Sequence, residues 1–130
     1  MITFILSSAL ALAAQANTAD YEGVARDSFA AWSFTSGSVA MDGNTRTTSV
    51  MTRYNTPTPF NGNPTPITYS IHRVSIDCAA RTVTWISGAN YSTSGVEVNP
   101  AAPAAAAPWT DGTSGFQSLA AQVCAMNAPL

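Results

Sequence analysis

The sequence predicts an α+β fold, mainly antiparallel β, with a single sheet of about five or six strands and a C-terminal helix tethered to it by a disulfide. Three observations carry this reading. Short runs rich in Thr, Val, Ile and aromatic residues alternate apolar with polar, the period of a half-buried strand. The last segment repeats its apolar residues at helical spacing instead. The only two cysteines, Cys78 and Cys124, fall one on each kind of segment.

Taken in order, "MITFILSSALALAAQANTAD" opens with an apolar run from Ile2 to Ala14, followed by the small-x-small step Ala14-Gln15-Ala16. That pattern predicts a signal peptide over residues 1–16 and a single mature domain over 17–130. The run is short of the roughly 20 apolar residues that span a bilayer. No Lys or Arg precedes it, and no cysteine follows the cut to accept a lipid. The expected chain is exported to the periplasm, cell surface or medium, not lipid-anchored, with no transmembrane segment once mature.

Asp42-Gly43-Asn44 reads as a tight turn between a run at Val39–Met41 and another from Thr45 to Tyr54. Within the second run Thr48, Val50, Thr52 and Tyr54 share one face. "NTPTPFNGNPTP" carries four prolines, so residues 55–66 read as a Pro-rich loop. Strand signal returns at Ile67. Val74, Ile76 and Cys78 alternate on one side, and after Ala79-Ala80 the run resumes with Val83 and Trp85. Two such neighbours make a hairpin, whose turn lacks Gly or Asn and is therefore wider than the two-residue type. Val96 and Val98 suggest a further strand. "PAAPAAAAP" is low-complexity, and residues 99–108 read as an extended Ala/Pro linker. Ser114 with Gln117 resembles a capping box. Beyond it Phe116, Leu119, Ala120, Val123 and Cys124 form one apolar helical stripe, with Trp109 placed to seal the junction.

Cys78 could be a nucleophile, a metal ligand or half of a disulfide. A nucleophile needs a basic partner to lower its pKa. The single histidine is His72, and Asp77 beside the thiol works the other way. Two Cys and one His without local spacing do not close a zinc sphere. Two cysteines in an exported chain read as one disulfide. They lie 46 residues apart, a loop whose closure contributes roughly 4 kcal/mol in the chain-entropy treatment.

Charged residues make up 9% of the chain, net charge is −2, and all five basic residues are arginine. No basic run offers an electrostatic footprint for nucleic acid. The seven acids are scattered, and the sequence holds no nucleophile elbow, zincin motif or phosphate-binding glycine loop. The expectation is a protein without catalytic residues, metal or cofactor.

At "SIDCAARTVTWISGANYSTSGVEV", followed by "PWTDGTSGFQSLAAQVC", the chain resembles the bacterial surface-adhesin protein E family. The resemblance rests on Asp77-Cys78 with Arg81 downstream, on Tyr91 and Gly95, on Trp109 before the last helix, and on Cys124. It implies a small antiparallel sheet with its C-terminal helix held by a Cys78–Cys124 bridge. The family's named member is an outer-membrane lipoprotein that dimerises and binds host matrix and serum proteins. The resemblance therefore implies host or envelope proteins as partners, and a homodimer. This chain departs from the pattern in lacking a lipid-accepting cysteine and any lysine.

The function expected is an exported binding module, with exposed strand edges available to pair with a partner. The alternative is an envelope accessory protein with a structural or stress role. Arg53, Tyr69, Arg73 and Arg81 are the candidate binding residues, and Arg73 and Arg81 are also placed to pair with Asp77.

Overall fold

A computed structural model describes residues 20–59 and 64–126. The expected signal peptide and the middle of the Pro-rich loop lie outside them. Among the described residues eight strands form one antiparallel sheet: β1 (Glu22–Arg26), β2 (Ala30–Phe34), β3 (Ala40–Asp42), β4 (Thr45–Thr58), β5 (Ile67–Asp77), β6 (Thr82–Tyr91), β7 (Glu97–Ala101) and β8 (Ala104–Pro108). The main path runs β1-β2-β4-β5-β6-β7. β3 shares the β2 side of β4, and β8 shares the β7 side of β6. A helix, α1 (Ser114–Ala125), closes the described chain after a short 3-10 turn at Trp109–Asp111.

The fold class is the one the sequence predicts. The long runs became β4, β5 and β6 because their alternation gives one face to a core: Val50, Val74 and Ile76 are fully buried there. α1 lays Phe116, Leu119, Ala120 and Val123 on that face, against Trp32, Phe34 and Val83. The Phe116 ring lies 5.3 Å from Trp32 and 5.2 Å from Trp85, between centroids. Cys78 and Cys124 are bridged, with their Cα atoms 5.7 Å apart, so the helix is joined covalently to the end of β5.

Two turns follow from local chemistry. Gly43 takes φ +60° in the two-residue connection between β3 and β4, a conformation cheap only for glycine. The β5–β6 connection spans four residues, Cys78 to Arg81, and ends with Arg81 itself at φ +60°. Asp77 Oδ1 accepts the N–H groups of Ala79 and Ala80 at 3.0 and 2.9 Å. The Asp77 carboxylate thus orders this turn, where an ion pair with Arg73 or Arg81 was expected.

Three expectations are corrected. The Pro-rich loop starts later than residue 55, because β4 continues through Pro57 to Thr58. Pairing with β2 ends at Tyr54, with Asn55 still donating to the Phe29 and Asp27 carbonyls, so that edge of β4 is unpaired by Pro57, where a residue without an N–H is tolerated. The Ala/Pro segment 99–108 is not a linker: most of it lies in β7 and β8, both paired with β6. Prolines at 100, 103 and 108 leave no helix-length alanine run, and the extended backbone they favour is that of a strand. The N-cap of α1 is Thr113, one residue before the expected Ser114, with no side-chain capping bond of its own. Gln117 Nε2 instead donates to the carbonyls of Thr110 and Gly112.

The missing cap comes from 88 residues upstream. Asp27, in the β1–β2 turn, accepts the Gly115 N–H on Oδ2 at 2.7 Å, and on Oδ1 the N–H groups of Phe29 and Ala30 at 2.8 and 2.9 Å. One carboxylate therefore closes a turn and satisfies a helix N-terminus, where its charge also suits the dipole.

Candidate functional site

α1 covers one face of the sheet, and the other face carries the sequence-predicted arginines. Because Ala30, Trp32 and Phe34 point to the helix, Ala31 and Ser33 point away from it. The cross-strand register then sets one transverse row on the helix-free face: Arg26, Ala31, Arg53, Tyr69, Tyr91 and Glu97, one residue per strand. Neighbours in such a row are close enough for side-chain contact. The Arg53 guanidinium sits 4.9 Å over the Tyr69 ring. Tyr69 stacks on Tyr91 at 5.0 Å with 13° between the planes.

Beside the row lies apolar surface. Met51 and Tyr69 are buried on this face, and Ile71 and Tyr21 are half-buried. The Tyr21 side chain hydrogen-bonds Ser49, and burial raises its phenol pKa. Burial raises that of Tyr69 as well, against the lowering pull of Arg53. Tyr91 is raised by burial first and then by Glu97, Tyr69 and Tyr21. An open cavity of about 510 Å³ runs along the β1 side, lined by Tyr21, Arg26, Ala31, Ser33, Met51 and Arg53 among others.

Of the four candidate residues, Arg53 and Tyr69 are in contact. Arg73 is exposed on the same face, opposite Ser49 and Ser87. Arg81 is elsewhere: its guanidinium lies 5.8 Å from the Trp109 ring and its carbonyl accepts the Trp109 N–H, so it serves the helix junction. Arg26, Tyr21 and Tyr91 were missed as members of this surface. No local signal marks them, since Arg26 and Tyr91 join it through cross-strand register and Tyr21 through its contact with Ser49.

His72 lies on the helix side, opposite Val50 and Gly88. A Cβ at Gly88 would come within 2.5 Å of His72 Cδ2, so only glycine fits there. The imidazole meets Trp85 edge-on at 4.9 Å. Its Nδ1 is buried without a hydrogen-bond partner, and burial pushes its pKa below the usual 6.5. The folded state then holds fewer protons than the unfolded chain, so stability is full above about pH 6.5 and declines as pH falls from there through the lower folded value. Urea midpoints at pH 7.5 and pH 5 are expected to differ for the wild type and to converge in His72→Phe. An unchanged pH slope in the variant would assign the dependence to another group.

Among the described residues no group of three or more His, Cys, Asp or Glu is arranged to hold a metal ion, and no helix is long and apolar enough to cross a membrane.

No protein-family model matches the chain, and none of the curated proteins matches it in sequence. The chain is similar in structure to protein E from non-typeable Haemophilus influenzae, with a TM-score of 0.56 over 85% of this chain and 78% of that one. Their sequences are 13% identical, and the likeness is one of fold.

Proposed function

We infer that the chain is an exported, non-catalytic binding module that engages host or envelope proteins through the helix-free face of its sheet. The observation that carries this reading is the Arg53–Tyr69–Tyr91 stack, set beside Met51 and Tyr21 on the side that α1 leaves uncovered. Aromatic and arginine side chains are the types enriched in protein interfaces. The fold shared with protein E, and the resemblance to its surface-adhesin family, support the same class of role.

The edges of the sheet are poorer candidates than the sequence suggested. A proline inside a ladder must turn its nitrogen away from its partner strand, so Pro100 in β7 and Pro108 in β8 each remove a donor from the outer edge. On the opposite edge Gln122 of α1 donates to the Val24 carbonyl at 2.9 Å, occupying part of β1. Recognition by strand addition is hindered on both sides, which favours the face.

The test is a capture assay with disulfide-bonded mature protein against matrix glycoproteins and an envelope extract, comparing two variants. Ile71→Arg, which alters the face, is expected to weaken capture by at least about tenfold, the size of one lost interface contact. Ala106→Glu, on the β8 edge, is expected to leave it intact. Loss with the edge variant and retention with the face variant would reverse the assignment.

A further inference from the structure

We propose that Arg26 and Arg53 form a carboxylate-binding notch on the helix-free face, receiving an aspartate or glutamate side chain of a partner protein. This rests on the face being the binding surface and specifies the chemistry it recognises.

The geometry begins with a bulge. β1 pairs Gly23 with Ser33 and then Ala25 with Trp32, leaving Val24 as an extra residue. Without it, Arg26 would share the face of Glu22 and point to the helix side. The bulge shifts the alternation by one, so Val24 and Ala25 both pack on the core and Arg26 emerges on the opposite face. Gln122 holds the bulge by donating to the Val24 carbonyl. A distortion kept in place by the helix thus sets Arg26 in the same row as Arg53, with Ala31 between them.

Two strand spacings separate the arginines, roughly 10 Å at the backbone. Ala31 is the smallest side chain of the row, so the row dips between two long cationic ones. Both arginines line the cavity of about 510 Å³, and both line a second of about 280 Å³ beside it. Both are exposed, and among the described residues neither is ion-paired. The Tyr69 ring beneath its guanidinium steadies Arg53, and among the described residues none of the guanidinium N–H groups is hydrogen-bonded. That fork matches the two oxygens of a carboxylate.

The charge pattern favours an isolated carboxylate over a polyanion. A sulfated glycan or nucleic acid needs a line of cations, and this chain has five arginines, no lysine and a net charge of −2. Arg46 is on the helix side opposite Ile76, and Arg81 is in the β5–β6 turn. Arg73 shares the face but lies four residues along β5 from the row, roughly 13 Å away, so it does not extend the pair into a line. The apolar floor beside the notch, Met51 and the Tyr21 ring, suits neighbouring side chains of a polypeptide.

The test uses the full disulfide-bonded protein labelled with nitrogen-15, following the five arginine Nε–H signals. The probe is an acetylated, amidated pentapeptide of alternating alanine and glutamate, with its glutamine counterpart as the control. Saturable shifts of Arg26 and Arg53 with the glutamate peptide alone are expected, and Arg26→Gln or Arg53→Gln should each weaken binding about tenfold. Both sites are exposed, so unchanged melting temperatures should accompany the loss. Shifts spread evenly over all five arginines, no saturation, or tighter binding of a heparin fragment would overturn the proposal. The two readings fail separately: if the arginine variants keep partner capture while Ile71→Arg loses it, the notch is refuted and the face stands. If Ile71→Arg keeps capture, the face itself is refuted.

Discussion

Replacing Cys78 with serine is expected to lower the melting temperature by roughly 15–25 °C, because closing a 46-residue loop removes about 4 kcal/mol of unfolded-state entropy. The bridge does more than restrict the unfolded chain. It anchors the C-terminal end of α1, whose Leu119, Ala120 and Val123 are wholly buried against the sheet. Without it the last turn of α1 is held to the sheet by packing and by the single Gln122–Val24 hydrogen bond. Arg73→Gln, on an exposed strand position, is expected to shift the melting temperature by no more than about 3 °C. Thermal scans of the two variants side by side decide the matter, and equal small shifts would deny the bridge its structural weight.

The second large effect is expected at Asp27. Asp27→Ala removes the acceptor of three backbone N–H groups, orphaning the N-terminus of α1 and the β1–β2 turn together. A cost of about 3 kcal/mol follows from charge-assisted hydrogen bonds and a helix cap lost at once. Asp27 also marks an acid-sensitive point. Burial would raise its pKa, but hydrogen bonds from the Thr113 side chain and from the Ala30, Gly115 and Phe29 amides outweigh that and hold the carboxyl far below the usual range. A folded-state pKa below the unfolded value stabilises the fold above about pH 4, and the contribution drains away as pH falls further. Denaturant midpoints between pH 5 and pH 2 should therefore fall more steeply in the wild type than in Asp27→Asn. Parallel curves would mean that Asp27 does not hold α1 in place. His72 acts in the same direction at higher pH, so the two contributions are separable by window.

Where the sequence was informative, the information was local. β4, β5 and β6 could be read because each carries its own alternation, and α1 because Phe116, Leu119, Ala120 and Val123 repeat at helical spacing. Cys78 at the end of β5 and Cys124 on the stripe then joined the two. The unread features depend on how segments pair rather than on the pattern of any one of them. The Val24 bulge is defined only against β2, and it decides on which face Arg26 emerges. The cap on α1 belongs to Asp27, on the other side of the sequence. The tract from residue 104 to 108 is alanine-rich and would suit a helix by composition, yet it pairs with Thr82, Val83 and Trp85 because prolines bound it and β6 has an open edge. Of the candidate binding residues, Arg53 and Tyr69 meet through register, and Arg81 separates from them because it ends a turn at the far end of the hairpin.

Non-reducing peptide mapping by mass spectrometry, on protein taken from its native host, tests most directly whether an exported sheet carries a covalently fastened helix. The expected result is a single cross-linked species joining the Cys78 and Cys124 peptides, on a chain whose first residue lies near Asn17. Two free thiols on a chain that retains Met1 would contradict both the clasp and the compartment on which the proposed binding role depends.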